Sequence, residues 1–146
     1  MPNNQFKKSE LYSFITGVAS TAIARRLQKK FNNAGVNVTI EQWSVLYHLW
    51  KEDGISQQEL CKATFRDKPS MTRLVDNLEK AGLVKRITAA TDRRKNLIVL
   101  TEKAKNLQDI CYKLAAETVD EALEGVSAAH IEVCKVVLKQ VYENLK

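Results

Sequence analysis

The spacing of the apolar residues changes within the central part of this 146-residue chain, and the change limits the folds open to it. Up to Gly82, apolar residues recur every three or four positions, as they do along one face of a helix. Two short runs rich in β-branched residues follow, Val84–Thr88 and Leu97–Leu100, and the helical spacing resumes after Thr101. Two such runs joined by a polar loop are typical of a β-hairpin. The sequence therefore predicts a mainly α-helical chain with one small β-hairpin.

Residues that cap helices predict three helices before the hairpin. Thr39 with Gln42, and Ser56 with Glu59, match the capping box, in which each side chain satisfies a free backbone N–H of the other residue. Asp67 suits the cap of a third helix, because its carboxylate can accept from the free N–H groups of the first turn. The predicted helices are Thr39–Lys51, Ser56–Phe65 and Lys68–Ala81.

The third of these helices has two different faces. Its apolar face follows the spacing i, i+3, i+4 and i+7 and comprises Met71, Leu74, Val75 and Leu78. Its other face is rich in hydrogen-bond donors and comprises Lys68, Ser70, Thr72, Arg73, Asn77 and Lys80. A helix of this kind, placed after a helix and a tight turn and before a hairpin, is typical of a winged helix-turn-helix, in which it enters the major groove of B-DNA. Arg73 then offers a bidentate donor pair to guanine, and Ser70 and Thr72 suit phosphate or base contacts.

The charged tip of the predicted hairpin is a second candidate for DNA contact. Its basic residues are Arg93, Arg94 and Lys95. A cationic run is often only a solvated surface. At a hairpin tip beside a donor-rich helix, however, it can enter the neighbouring minor groove, where a narrow groove concentrates negative potential. We therefore interpret the tip as a DNA contact.

The net charge of +6 supports a polyanionic partner for the central part of the chain. Residues 62–103 contain eleven basic and five acidic side chains, which accounts for the whole excess, and the two flanking arms are neutral overall. Arg86 lies within this stretch at the base of the hairpin. Both an ion pair with Asp76 and a DNA contact are open to it, and we interpret it as structural.

The two arms are predicted to be helical and to have a different role. A helix runs from about Ser9 to Phe31, and a long helix follows the hairpin from Thr101 to about Leu123. A last helix starts at Ser127. It carries an apolar seam with alternating spacings of three and four, as in a coiled coil, at Ile131, Cys134, Leu138, Val141 and Leu145.

The segment Asp67–Arg86 resembles the MarR (multiple antibiotic resistance regulator) family. It reads DKPSMTRLVDNLEKAGLVKR and is followed at the family's spacing by the wing motif Asp92-Arg93-Arg94 and by Leu100-Thr101. The resemblance covers roughly residues 39–101. It implies one domain over residues 1–146, with a DNA-binding lobe at 39–101 and dimerisation helices at 6–35 and 102–146.

The resemblance also implies a function. It predicts a sequence-specific transcription regulator, usually a repressor, that binds double-stranded DNA at a palindromic operator as a homodimer. The third helix would contact the major groove, and Arg94, oriented by Asp92, the minor groove. Members commonly sense a small aromatic effector between the DNA-binding lobe and the dimerisation helices. Tyr12, Trp43 and Tyr47 are the candidate pocket residues, and a plain core role stays open for them, since aromatic residues at helical spacing are more often core. Two alternatives stay open: a non-specific or architectural DNA binder, and a protein-interaction module.

Enzymes and metalloproteins are not indicated. The chain lacks the phosphate-binding GxxxxGKS/T loop and the HExxH and GxSxG motifs. Neither His48 nor His130 has a neighbouring nucleophile or carboxylate in a catalytic arrangement. His130 and Cys134 are four residues apart, but no third or fourth ligand accompanies them. We therefore expect no catalysis, no bound metal and no cofactor.

The cysteines and the hydropathy favour a cytoplasmic protein. Cys61, Cys111 and Cys134 are odd in number and widely spaced, which is typical of reduced thiols, and we interpret Cys61 and Cys111 as small core residues. No apolar run approaches the ~18 residues of a membrane span. The polar Met1–Glu10 segment has no signal-peptide core. We expect no membrane partner.

Overall fold

The computed structural model describes residues 8–146. Residues 1–7, with the predicted start of the first arm at residue 6, lie outside the described residues. The described chain is mainly helical and carries a small antiparallel sheet, which confirms the predicted fold class. Its elements are α1 (Lys8–Ser13), a π-helical segment (Phe14–Val18), α2 (Ala19–Asn33), α3 (Ile40–Lys51), β1 (Ile55–Ser56), α4 (Gln57–Thr64), α5 (Lys68–Lys80), β2 (Val84–Thr88), β3 (Asn96–Leu100), α6 (Glu102–Asn106), α7 (Gln108–Ala122) and α8 (Ala128–Leu145).

The two predicted capping boxes determine where α3 and α4 begin. Thr39 Oγ1 accepts from the N–H of Gln42 at 3.1 Å, and Gln42 Oε1 accepts from the N–H of Thr39 at 3.0 Å. Ser56 and Glu59 form the same reciprocal pair, with distances of 3.1 Å and 2.9 Å. Both pairs satisfy backbone donors that the first turn leaves free.

The turn between α4 and α5 orients the predicted DNA-binding helix. Phe65 ends α4 in the left-handed conformation, with φ of 58°, which is uncommon for a bulky residue. Asp67 then begins α5, since its Oδ1 accepts from the N–H of Ser70 at 2.7 Å. The predicted apolar face of α5 is buried, at Met71, Leu74, Val75 and Leu78. The helix is therefore packed on one side and leaves its other side outward.

The wing belongs to a three-stranded sheet, whereas the sequence predicted only a two-stranded hairpin. β2 pairs with β3 from Val84 opposite Leu100 to Thr88 opposite Asn96. The two-residue strand β1 pairs with the other edge of β3. It escaped prediction because a strand of two residues is too short to show an alternating pattern. Through β1 the sheet is joined directly to the start of α4.

The helical arms differ in detail from the prediction. The first arm contains the π-helical segment between α1 and α2, and the helix after Thr101 is divided at Leu107 into α6 and α7. Ion pairs join α2 to α7, because Glu121 contacts both Lys30 and Arg26, the latter at 2.7 Å. The hydrogen bond from Lys30, with the charges of Lys30 and Arg26, lowers the pKa of the Glu121 carboxyl.

The hydrophobic core extends from the DNA-binding lobe into the base of both arms. Its fully buried side chains include Phe31 of α2, Leu46 of α3, Met71 of α5 and Ile98 of β3. The core thereby fixes α5 and the wing relative to α2 and α7. In contrast, no residue of α8 is buried. No helix within residues 8–146 combines the length and the apolar character that a membrane span requires.

The three cysteines are free thiols in different environments. Cys111 is buried, Cys61 is half-buried and Cys134 is exposed. Burial raises the pKa of the Cys111 thiol to about 11, so this residue stays protonated at neutral pH and is a poor nucleophile. The prediction that Cys111 is a small core residue is therefore confirmed, and Cys61 packs against the same core while staying partly accessible.

Candidate nucleic-acid interface

The predicted hydrogen-bond donors of α5 differ in their exposure. Lys68 and Arg73 are exposed, whereas Ser70 and Thr72 are half-buried. The hydroxyl of Thr72 accepts a hydrogen bond of 2.7 Å from Nε2 of Gln57, in the first turn of α4. This bond orients Thr72 and leaves its own O–H free to donate. The sequence did not indicate Gln57, because its partner lies fifteen residues further along the chain.

Backbone hydrogen bonds shape the tip of the wing. Asp92 Oδ1 accepts from the N–H of Arg94 at 2.9 Å, and Asp92 O accepts from the N–H of Lys95 at 3.1 Å. Asp92 therefore orients Arg94 through the main chain, as in an Asx turn. The side chains of Arg93, Arg94 and Lys95 are exposed, and within residues 8–146 none of them forms an ion pair.

Two concavities flank α5. The first lies between α4, the start of α5 and the wing, has a volume of about 530 Å³, and brings together Lys68, Arg94 and Lys95 with Gln57. The second lies on the other side of α5 and has a volume of about 370 Å³. Its borders include Ser70 and Arg73. The candidate residues thus fall into two groups beside α5: Lys68, Arg94 and Lys95 border one concavity, and Ser70 and Arg73 border the other.

Arg86 ties the wing to α5. Its Nη2 lies 2.7 Å from Oδ1 of Asp76 and donates to the carbonyl oxygen of Thr72 at 3.3 Å. Its Nη1 pairs with the carboxylate of Glu79. The predicted pair with Asp76 is therefore confirmed, and Glu79 is a further partner that the sequence analysis missed. Positions 72, 76 and 79 follow the spacing i, i+4 and i+7, so one arginine spans two turns of the helix.

We expect Arg86→Met to lower the free energy of unfolding by about 1–2 kcal/mol, because it removes charge-assisted hydrogen bonds whose acceptors are partly exposed. Urea unfolding measures this change, and Lys85→Met, at an exposed neighbouring position on β2, is the matched control. The salt dependence of DNA binding should stay as in the wild type. A weaker salt dependence at unchanged stability would instead identify Arg86 as a phosphate contact.

An aromatic cluster joins the DNA-binding lobe to the second arm. The ring of Trp43 lies 5.7 Å from those of Tyr47 and Trp50 and 5.8 Å from that of Tyr112, between ring centroids. Trp50 Nε1 donates to the carbonyl oxygen of Ala104 at 3.1 Å. The cluster therefore packs α3 against α6 and α7. Tyr112 is a member that the sequence analysis missed, because only the tertiary fold brings α7 to α3.

The third candidate pocket residue, Tyr12, lies elsewhere. It is 69% exposed on α1 and borders a shallow groove of about 580 Å³ whose walls all come from residues 12–25. Neither Trp43 nor Tyr47 borders this groove. Within the described chain, the three candidates are thus not brought into one pocket. Among residues 8–146, no three His, Cys, Asp or Glu side chains come close enough together to hold a metal ion.

Two helices joined by a tight turn, the second of them outward-facing and basic, together with a basic wing, define a winged helix-turn-helix protein of the DNA-binding class. The model of the MarR family matches residues 35–95 of this chain. The chain belongs to the MarR family of transcriptional regulators, which are DNA-binding proteins and not enzymes.

Solved structures are similar over nearly the whole chain. The transcriptional regulator PA3341 is 32% identical, with a TM-score of 0.76, and the match covers 94% of this chain and 96% of that one. A MarR transcriptional regulator from Methanosarcina mazei Go1 is 25% identical, with a TM-score of 0.78 and 94% of each chain covered. MepR of S. aureus, solved as a DNA complex, is 26% identical, with a TM-score of 0.81 and 97% and 100% covered.

Proposed function

We propose that this protein is a sequence-specific transcription regulator that binds a palindromic DNA operator as a homodimer, in the family's usual role of a repressor, and that a small aromatic effector alters its affinity for DNA. The observation that carries the proposal is the placement of basic residues on both sides of α5: Lys68, Arg94 and Lys95 border one concavity, and Arg73 borders the other. Lys68, Ser70, Thr72 and Arg73 would contact the major groove and its phosphates. Arg93, Arg94 and Lys95 would contact the adjacent minor groove.

The exposed apolar surface of the arms supports a second copy of this chain as the partner. Val136 and Leu145 of α8 are 68% and 79% exposed, and Phe14 and Val18 of the first arm are 55% and 51% exposed. The accessible surface is 10742 Å², whereas a compact monomer of 16.5 kDa exposes about 7,500 Å². The excess is about 3,000 Å² for each chain, so two chains that bury it against each other would hide about 6,000 Å², at the upper end of what obligate dimers bury. α8 contains two lysines and two glutamates, so it carries no net charge that would oppose pairing with its copy.

Dimerisation would give the recognition helices a fixed spacing. Two half-sites contacted from one side of B-DNA lie ~34–36 Å apart, one helical turn, so two copies of α5 must be held at that distance. A two-fold symmetric protein then matches an inverted repeat. A modest rotation of the two lobes moves α5 out of this spacing and lowers affinity.

The junction between the DNA-binding lobe and the arms is the proposed region for the effector. Trp43 and Tyr47 face α7 in the aromatic cluster, so a ligand that separates these rings would shift α3, and with it α5, relative to the arms. Tyr12 would contribute only if a second copy brings its α1 to this junction. Quenching of tryptophan fluorescence by an aromatic ligand, measured together with release of the operator, tests this region.

Selection of duplexes from a random-sequence pool at about 0.15 M salt tests the proposed function. We expect enrichment of an inverted repeat whose half-sites are centred about 10 bp apart. Binding without enrichment would favour an architectural role, since non-specific binding depends on phosphates and is alike for all duplexes. Absence of binding by the ligand-free protein would favour a protein-interaction module. A variant with both Arg73 and Arg94 replaced by alanine is the control for selection by the proposed site.

A further inference from the structure

One buried polar atom lies beside the recognition helix without a hydrogen-bond partner. It is Nε of Arg66, in the turn between α4 and α5, and among residues 8–146 it is the only buried side-chain nitrogen or oxygen atom in that condition. A buried donor without an acceptor has a desolvation cost, and native proteins rarely tolerate one unless a ligand or a bound water supplies the acceptor. The Nε–H of Arg66 therefore has no acceptor among residues 8–146, and its acceptor has to come from outside the described chain.

Arg66 borders the smaller of the two concavities beside α5, which we call the Arg66 notch. Thr39 and Gln42 at the start of α3, and Ser70 and Arg73 of α5, form its other main borders, and its volume is about 370 Å³. Two arginines thus border one concavity together with two hydroxyl residues and an amide residue. Such a set of donors suits an oxyanion with several acceptor oxygens, and arginine is the side chain best shaped for phosphate.

The acidic side chain in the notch does not neutralise these cations. Glu41 also borders it, yet within residues 8–146 neither Arg66 nor Arg73 lies within 4.0 Å of a carboxylate oxygen as an ion pair. The notch therefore keeps a net positive charge from two arginines and one glutamate. Because these two arginines have no internal counter-charge, their guanidinium charge is available to an anion from outside.

The place of the notch in the fold indicates which anion. Arg73 is exposed on the outward side of α5 and borders the notch as well, so the two surfaces are continuous. In a helix-turn-helix complex, the recognition helix lies between two phosphate backbones, and the preceding helix crosses one of them. We infer that the Arg66 notch binds a backbone phosphate of the duplex, with Arg66 as its charged donor; this inference rests on the proposed DNA-binding function.

The test compares Arg66→Gln with the wild type on the selected operator and on a random duplex. Both should lose affinity by the same factor, at least about tenfold, because a phosphate contact carries no sequence information. The slope of log K against log salt should fall by about 1.8, since each dimer loses two phosphate contacts at about 0.9 each. Lys113→Gln removes one exposed charge on α7, outside the lobe, and should change neither quantity.

A second variant separates binding from folding. Arg66→Met removes the unsatisfied Nε while keeping an unbranched apolar stem, so we expect an unfolding midpoint in urea at or above that of the wild type, together with the loss of DNA affinity. A lowered midpoint with an unchanged salt slope would overturn the inference and make Arg66 a structural residue.

The remaining outcomes distinguish the inference from the proposed function. If the wild type binds duplex DNA and Arg66→Gln keeps its affinity and slope, the inference alone fails. If the wild type binds no duplex, both fail. Inorganic phosphate tests the other source of the same chemistry. The NMR signal of the Arg66 Nε–H could change its chemical shift when phosphate is added at millimolar concentration, while Arg66→Gln keeps the wild-type slope of log K against log salt for DNA binding. That combination would assign the notch to a free anion and overturn the DNA assignment.

Discussion

Replacing Arg94 or Arg73 by alanine is expected to weaken binding to the selected operator by more than about 1 kcal/mol each, a loss of at least about fivefold in affinity. Arg94 lies at the exposed tip of the wing, and its backbone is held by Asp92, so its side chain can extend into the minor groove without reordering the loop. Arg73 is exposed on the side of α5 away from the core, where a bidentate contact with guanine is open to it.

The two substitutions should differ in what they do to specificity. Arg73→Ala should relax the preference at one position of each half-site, because it removes a contact to a base edge. Arg94→Ala should lower affinity with little change in the preferred major-groove bases, since the minor groove distinguishes base pairs poorly. Titrations of the operator and of single-base variants measure both effects. Lys113→Ala is the control, and unchanged affinity in both arginine variants would remove this site assignment.

Asp92 offers a check on the wing geometry. Its carboxylate bonds the main chain of Arg94 and not its guanidinium, so Asp92→Ala should mainly loosen the tip. Asn can accept the same backbone hydrogen bond, and Asp92→Asn should therefore retain most of the operator affinity. If both variants lost affinity equally, the negative charge itself, and not the turn, would be what matters for Arg94.

Local signals were enough to predict the elements that position the site. Thr39 and Asp67 each form a capping hydrogen bond with a residue three positions further along the chain. The starts of α3 and α5 can therefore be predicted from a few neighbouring residues. The buried face of α5 follows equally well from helical periodicity, because a long amphipathic pattern has few alternative readings. The two-residue strand β1 has no such pattern, and it forms only because β3 offers a free edge.

The site is less predictable, since its details depend on residues distant in sequence. The hydrogen bond from Gln57 to Thr72, and the pairing of Glu79 with Arg86, arise from packing that no local pattern reports. The unsatisfied Nε of Arg66 is of the same kind: sequence analysis counted this residue only as one charge among eleven, and its significance comes from burial. The sequence therefore predicted which residues lie on the buried face of α5, but not which side chains contact one another around it.

The largest effect is expected from a charge placed in the apolar surface of α8. If the protein is the proposed dimer, Leu138→Glu should convert it to a monomer at micromolar concentration and lower operator affinity by at least about a hundredfold. Leu138 belongs to the predicted seam and is 49% exposed in the single chain, and two-fold symmetry would bury two unpaired carboxylates in one interface at a cost of several kcal/mol. Sedimentation and operator titration measure the two effects.

Two controls show whether an effect of Leu138→Glu comes from lost dimerisation, and not from a less stable helix or from the added charge alone. Glutamate favours helices about as well as leucine, so α8 should remain helical, and circular dichroism verifies this. Gln140→Glu places the same charge two residues further on, at an exposed polar position, and should leave both dimer and operator affinity nearly unchanged. A Leu138→Glu monomer that still bound the inverted repeat with wild-type affinity would show that the lobes recognise DNA singly. In that case the 10 bp spacing of half-sites would have no basis in the protein.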